Sequence, residues 1–183
     1  ATKLPDDRLT VEFVTPTRLV AGGRLLRRPD VRALTLRLVE RLEALEQAYG
    51  PALGAEGTEG AEGDQAAHAR RRERYLAFER EARAVRVARD ETRWLEVMSH
   101  SARQQRAIPI GGFVGEVTFE GALRGLRELL AWGEIAHAGK NAVKGDGCMR
   151  VRAATPDVGG ETARADTASE VMEVIGRSSG QHA

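Results

Sequence analysis

Residues 133–152, GEIAHAGKNAVKGDGCMRVR, contain the pattern from which the rest of the chain can be placed. Gly139, Gly145 and Gly147 stand at a G-x5-G-x-G spacing, and a strand-like run follows them directly. Glycine accepts a positive φ and lets a neighbouring backbone or a phosphate come close, because it has no Cβ. The pattern predicts a tight loop over residues 139–147, called the glycine loop below, that leads into the last strand of a sheet.

The glycine loop and the strand after it are basic. The charged side chains between positions 140 and 152 are Lys140, Lys144, Asp146, Arg150 and Arg152. Four bases against one acid leave a local charge of +3, and a basic loop with exposed amides is suited to bind an anion. The same glycines are also typical of a plain turn and bulge before an edge strand. Since neither a Walker G-K-[ST] ending nor a dinucleotide G-x-G-x-x-G is present, bound phosphate would belong to a nucleic-acid backbone rather than a nucleotide cofactor.

Composition limits the class of protein and of site. A chain of 183 residues suits one domain, with or without a tail, and a hydrophobic fraction of 42% allows a packed core. The net charge of +1 means that any nucleic-acid surface must be a local patch. Cys148 is the only cysteine, which excludes an internal disulfide and a multi-cysteine zinc site. No His, Cys and Asp cluster has metal-ligand spacing, so we predict neither a metal nor a cofactor.

The sequence gives no sign of a membrane. No run approaches the roughly 18 apolar residues that a spanning helix needs, and the first residues do not form a signal-peptide pattern. We therefore expect a cytoplasmic protein.

Apolar periodicity gives the order of the elements. Leu9, Val11 and Phe13 alternate with other residues on a first strand, which Pro16 should end or confine to a sheet edge. A helix follows with Asp30 as its N-cap, and its apolar face consists of Val31, Leu34, Leu38, Leu42 and Leu45. Later segments with strand or helix character are 84–101 and 109–120 (strands), 122–135 (a helix with Leu123, Leu126, Leu129 and Leu130) and 148–153 (a strand). This order, βαββαβ, predicts an α+β, ferredoxin-like (RRM-like) fold, an antiparallel sheet with two helices on one face.

Three segments fall outside this pattern. Residues 51–64 are rich in Gly, Ala and Glu and predict a flexible insertion. Residues 65–84 predict a charged helix, and eight arginines against three glutamates give positions 65–89 a charge of +5. This helix is either a solvated face with local ion pairs or a basic patch beside the sheet. We expect a ferredoxin-like domain over residues 1–153 and a polar tail over residues 154–183.

Four short pieces of sequence join the glycine loop in one further pattern. They are Val14-Thr15-Pro16-Thr17, Ser101-x-Arg103-Gln104, Gly111-Gly112-Phe113-Val114-Gly115, and Gly133-Glu134 with His137-x-Gly139-Lys140. With the order of elements, they resemble the C-terminal half of the CRISPR precursor-RNA processing endoribonucleases, in the RAMP superfamily, over residues 9–153. The family's glycine signature usually has one further glycine two residues before Gly139, where this chain has His137.

The resemblance implies an RNA partner, the repeat of a CRISPR transcript. Family members cut this RNA without metal, by attack of a 2′-hydroxyl on the adjacent phosphate. They usually have two ferredoxin-like units, often with the acid–base histidine in the first, whereas this sequence predicts one unit. The resemblance therefore implies an N-terminal ferredoxin-like unit or other subunits of a CRISPR effector complex as partners. Two alternatives stay open: a non-catalytic RNA-binding subunit of a CRISPR ribonucleoprotein, and an oligomerisation or small-ligand module whose glycines only build a turn.

The candidate site residues follow from the glycine loop and the resemblance. His137 is the candidate general acid or base, since histidine exchanges protons near neutral pH; the alternative is a loop histidine that hydrogen-bonds the backbone and orders the turn. The candidate RNA-binding residues are Gly139, Lys140, Lys144, Gly145, Gly147 and Arg150, with Arg103 and Arg106 on a predicted hairpin at residues 101–108.

Overall fold

The structure is a computed structural model that describes residues 4–49, 61–101 and 106–155. An antiparallel sheet lies at its centre. The strands of this sheet are β1 (Arg8–Thr17), β4 (Val85–Asp90), β5 (Arg93–Leu95), β8 (Gly112–Gly121) and β9 (Met149–Ala153). Strand β1 pairs with both β8 and β9, and β4 and β5 pair with the far side of β8. The order β4-β8-β1-β9 is that of a ferredoxin-like sheet, so the predicted fold is confirmed.

Within the described residues, three α-helices accompany the sheet. They are α1 (Val31–Tyr49), α2 (Ala61–Arg83) and α3 (Arg127–Ala136). Helices α1 and α3 pack on each other and are the two helices of the ferredoxin-like unit, while α2 is inserted between α1 and β4. Asp30 caps α1 as predicted, since its Oδ1 accepts a hydrogen bond from the Ala33 amide at 2.7 Å.

Two helix boundaries differ from the prediction. Helix α2 begins at Ala61 rather than at residue 65, so the last four residues of the predicted insertion are helical. The rest of that insertion, residues 51–60, lies outside the described residues. Helix α3 begins at Arg127 rather than at residue 122. Its preceding residues form a turn anchored by the Leu123 amide, which donates to the Asp6 carbonyl at 2.9 Å.

The core lies between the sheet and the helices. Leu9, Val11 and Phe13 of β1 are buried, and Phe13 meets Phe113 of β8 edge-to-face with ring centroids 4.8 Å apart. Most of the predicted leucines of the α1 and α3 segments share this core, namely Leu34, Leu38, Leu123, Leu126, Leu129 and Leu130. Of the other two predicted leucines of α1, Leu42 packs against the core while only partly buried, and Leu45 is not part of it. Burial of each such side chain stabilises the fold by about 1.5–3 kcal/mol before entropy is counted.

Pro16 is tolerated inside a central strand, which corrects the prediction that it ends the strand or marks an edge. Strand β1 lies between β8 and β9, and its register against β8 shifts between Phe13 and Thr17. Proline cannot donate to a strand ladder, but a bulge leaves one residue unpaired. The bulge therefore accommodates Pro16 and leaves its carbonyl free to accept another hydrogen bond.

Charged pairs cover the sheet face that turns away from the helices. Arg152 contacts Glu116 at 2.6 Å and Arg86 contacts Glu120 at 2.9 Å, and between these rows the hydroxyls of Thr10 and Thr118 are 3.0 Å apart. The next paired position on β1 and β9 joins Glu12 to Arg150.

Two hairpins extend from the sheet. The first joins β2 (Val20–Ala21) to β3 (Arg24–Leu25) through Gly22 and Gly23, both with positive φ. The second joins β6 (Met98–Ser101) to β7 (Arg106–Pro109). None of the described helices is long and apolar enough to cross a membrane.

Candidate nucleic-acid interface

The glycine loop lies at the end of the sheet where β1 finishes and where β8 and β9 begin. Antiparallel pairing brings these three strand ends together. The Arg18 guanidinium, just after β1, donates to the Gly111 carbonyl, just before β8, at 3.1 Å. A Cβ on Gly112 would overlap the Thr17 carbonyl, so the strand ends are in direct backbone contact. The loop is therefore built on a rigid base.

Backbone hydrogen bonds close the glycine loop at its neck and join it to β1. The Ala138 amide donates to the Gly147 carbonyl at 2.9 Å, and the Gly147 amide donates to the Pro16 carbonyl at 3.1 Å. The Lys140 amide donates to the Arg18 carbonyl at 2.9 Å. These three bonds fix both ends of the loop.

Thr15 fastens the same loop with its side chain. Its hydroxyl donates to the Gly145 carbonyl at 3.1 Å and accepts from the Cys148 amide at 2.9 Å. The sequence prediction gave Thr15 no role in the site. The signal that could have found it is the quoted Val14-Thr15-Pro16-Thr17 piece, because threonine beside a proline bulge can bond backbone groups that the ladder leaves free.

The three positions of the loop require glycine for different structural reasons. Gly139 has φ 89°, and a Cβ there would lie 2.7 Å from the Arg18 carbonyl oxygen. Gly147 has φ 73°, and its Cβ would overlap the Ala138 carbonyl oxygen. Gly145 also has a positive φ, of 90°, but nothing lies within 4 Å of the place its Cβ would occupy. Packing inside the protein thus accounts for Gly139 and Gly147, and backbone conformation alone accounts for Gly145.

The outer part of the loop carries its positive charge. A short 3-10 helix, Ala142–Lys144, forms the tip, and the side chain of Val143 is 79% exposed there. Lys140 and Lys144 are exposed, and within the described part of the chain neither forms an ion pair. Their ammonium groups are therefore available to an anion.

His137 joins helix α3 to the neck of the loop. It caps the helix with its amide, which donates to the Gly133 carbonyl at 3.0 Å, and its backbone has φ 61° and ψ 152°. Its imidazole Nδ1 lies 3.3 Å from the Asp146 carbonyl oxygen. A carbonyl oxygen only accepts, so this contact requires the proton on Nδ1 and leaves Nε2 as the acceptor of a neutral ring.

Membership of a family follows from comparison of the sequence with known families. The model of one family, described as CRISPR-associated endoribonuclease Cas6, matches residues 11–149 of the 183. The chain belongs to the Cas6 family. The match includes most of β1, both helices of the ferredoxin-like unit and the whole glycine loop.

Solved Cas6 structures share this fold. A Thermus thermophilus Cas6 superimposes with a TM-score of 0.51 at 22% identity, covering 81% of this chain and 55% of that one. A Cas6 product complex matches with a TM-score of 0.50 at 21% identity, covering 83% and 54%. The chain thus spans about half the length of these Cas6 proteins.

A match that covers more of this chain comes from a structure of a complex. A partial Cas6-RT-Cas1–Cas2 complex matches with a TM-score of 0.51 at 11% identity, covering 98% of this chain and 31% of that one. No curated protein sequence matches the chain.

Three further residues of this Cas6-family chain were predicted to bind RNA. Two of them lie away from the loop tip, and the third is outside the described residues. Arg150 stands on the open sheet face, where it contacts Glu12 at 3.8 Å. Arg106 begins β7, while Arg103 lies outside the described residues. No group of three or more His, Cys, Asp or Glu side chains suited to a metal occurs among residues 4–49, 61–101 and 106–155.

The arginines of α2 divide between two faces. Arg70, Arg71 and Arg74 line a cavity together with Glu43 and Glu46 of α1, and Arg74 contacts Glu46 at 3.7 Å.

On the other face of α2, Glu79 accepts hydrogen bonds from Arg32 of α1 and from Arg83. These two guanidinium groups lower the pKa of Glu79 below its ordinary value of 4.5. The ion-paired description thus fits Arg74 and Arg83, whereas the other four arginines of α2 form no ion pair in the described part of the chain.

Proposed function

We propose that this chain is the C-terminal RNA-binding unit of a metal-independent endoribonuclease that cuts CRISPR repeat RNA. The observation that carries the proposal is the glycine loop, whose backbone is fixed to β1 while Lys140 and Lys144 extend into solvent without an acidic partner in the described structure. A rigid backbone with free ammonium groups suits the phosphates of an RNA chain. Membership of the Cas6 family and the fold shared with a Cas6 product complex support the same function.

The proposed reaction needs a base, an acid and positive charge. The base removes the proton of the 2′-hydroxyl, whose oxygen bonds to the adjacent phosphorus. The bond from phosphorus to the 5′-oxygen breaks, and the acid protonates that oxygen. The products are a 2′,3′-cyclic phosphate and a 5′-hydroxyl end. Lys140 and Lys144 would stabilise the charge that develops on the phosphate oxygens.

The glycine loop does not provide both of the proton-transfer groups that this mechanism needs. Nδ1 of His137 is occupied by the Asp146 carbonyl, so only Nε2 could exchange a proton with RNA. Two groups are needed, and the other histidines of the sequence are His68, His100 and His182. We propose that the acid and the base come from a second ferredoxin-like unit or from another subunit of a CRISPR effector complex.

A pair of double variants tests the RNA-binding role of the loop. Replacing Lys140 and Lys144 with alanine should weaken binding of unrelated RNAs about equally, because phosphate contacts carry no sequence information. The slope of log affinity against log salt should become shallower by roughly one to two units. The control, Arg70→Ala with Arg71→Ala, removes the same charge from α2 and should change the slope less. If the lysine variant and the wild type had equal RNA affinity and equal salt slope, the glycine loop would not be the RNA-binding surface.

A cleavage assay separates the two CRISPR functions. The full-length or reconstituted protein should cut repeat RNA in EDTA and leave a cyclic phosphate. Binding without cleavage under those conditions would instead support a non-catalytic RNA-binding subunit, which the single loop histidine also favours.

A further inference from the structure

The backbone of His137 occupies a region that glycine ordinarily fills. Its φ of 61° and ψ of 152° make it the only non-glycine residue with a positive φ in residues 4–49, 61–101 and 106–155. A side chain there is strained. A positive φ combined with an extended ψ is a backbone conformation essentially confined to glycine. A histidine at this position therefore lowers the free energy of unfolding relative to a glycine.

The imidazole makes an interaction that glycine could not provide. Its Nδ1 lies 3.3 Å from the Asp146 carbonyl oxygen, nine residues along the chain. Directly beside it, the Ala138 amide donates to the Gly147 carbonyl at 2.9 Å. The side-chain contact and the backbone bond together close the neck of the glycine loop on the side of α3.

The two sides of the neck are held by different elements. Strand β1 and Arg18, the residue after it, hold the loop through the Pro16 and Arg18 carbonyls and the Thr15 hydroxyl. His137 connects the neck to α3, because it is the residue that caps this helix. A loop held on both sides keeps Lys140 and Lys144 in one arrangement.

We infer that His137 is a positioning residue that fixes the glycine loop for RNA through the Asp146 carbonyl. This inference rests on the proposed RNA-binding function of the loop. The strained backbone and the imidazole contact act together. The strain lowers the stability of the fold, and the contact orders the neck of the loop in return. The proton on Nδ1 makes the contact, and no proton transfer to RNA is involved.

Three substitutions separate strain from positioning. His137→Gly removes both the strain and the contact. His137→Ala removes the contact and leaves the strain. His137→Asn keeps a side-chain donor and, like His137→Ala, leaves the strained backbone.

Melting and RNA binding of the full chain give the first readout, with a labelled 30-nucleotide RNA as the probe. We expect His137→Gly to melt no lower than the wild type, yet to bind about three- to tenfold more weakly, the size of one lost hydrogen bond. His137→Asn should bind within about twofold of the wild type. His137→Ala should lose both stability and affinity. Binding by His137→Gly equal to that of the wild type would overturn the inference, as would loss of cleavage with full binding in His137→Asn.

Amide hydrogen exchange gives a readout that does not depend on RNA. In His137→Gly, the Ala138 and Lys140 amides should exchange about three- to tenfold faster, because the neck opens more often. Amides of α1 should not change. Unchanged exchange at Ala138 would overturn the positioning role even if the loop binds RNA. Faster exchange in a protein that binds no RNA would instead contradict the proposed function.

Discussion

The glycine loop and helix α2 are the two basic regions of the molecule, and they hold their charges differently. The loop has two exposed lysines on a backbone fixed by hydrogen bonds to β1. Helix α2 has six arginines, but Arg74 contacts Glu46 and Arg83 contacts Glu79. Acidic partners compete with phosphate for the same guanidinium groups. Since the other four α2 arginines form no ion pair within the described residues, the number of unpaired cations does not separate the two regions. What distinguishes the loop is that hydrogen bonds to a distant strand fix the backbone that carries its lysines.

The largest effect is expected on stability, where substitutions at two glycines of the loop should differ. Gly147→Ala places a Cβ against the Ala138 carbonyl at a residue with φ 73°, so we expect a loss of about 3 kcal/mol or more. Gly145→Ala meets no atom within 4 Å and should cost only about 1–2 kcal/mol for its positive φ. Denaturant unfolding of both variants measures the difference. Equal losses would mean that the neck is not packed as described.

A smaller loss is expected from the side chain that fastens the loop. Thr15→Val keeps the shape but removes two hydrogen bonds, so we expect destabilisation of about 1–3 kcal/mol and weaker RNA binding. Thr15→Ser keeps the hydroxyl and is the matched control. If Thr15→Val loses stability but binds RNA normally, anchoring of the loop to β1 is not needed for RNA.

Acid should distinguish the two regions, because ion pairs hold α2 whereas neutral groups hold the loop. The pKa of Glu79 is lowered by Arg32 and Arg83. A lowered carboxyl pKa stabilises the fold above the unfolded value, near 4.5, and this contribution disappears as the pH falls through the folded pKa.

Glu79→Gln measures this contribution. The variant should melt slightly below the wild type at pH 7, and the difference should vanish as the pH falls below 4.5. The melting temperature of Thr15→Val, in contrast, should lie below that of the wild type by the same amount at pH 7 and below pH 4.5. A difference for Glu79→Gln that does not depend on pH would show that Glu79 acts by packing.

The smallest effect is expected in the segment between α1 and α2. Replacing residues 51–60 with a short Gly-Ser linker should shift the melting temperature by less than about 4 °C, since loop closure depends weakly on length. RNA affinity should not change if the glycine loop, rather than α2, contacts RNA. A shift above about 10 °C would show that the segment packs on the core.

The elements that bury a regular apolar face could be predicted from the sequence. Alternation through Leu9, Val11 and Phe13 and the leucine spacing of α1 have direct physical causes in strand and helix geometry. They gave the βαββαβ order, and the glycine spacing with its neighbouring pieces gave the family. Element ends were less predictable. Turn residues such as those before Arg127 are fixed by contacts with distant residues, here Asp6.

The sequence by itself determined the order of the strands and helices, because apolar periodicity depends only on neighbouring residues. It also determined that positive charge surrounds three glycines at residues 139–147. Only the tertiary structure decided what each glycine is for and that Thr15 and His137 hold the loop, because these contacts join residues far apart in the chain. It likewise decided which basic groups have acidic partners, since Glu46 of α1 reaches Arg74 of α2, and Arg32 of α1 reaches Glu79 of α2, only after the helices pack.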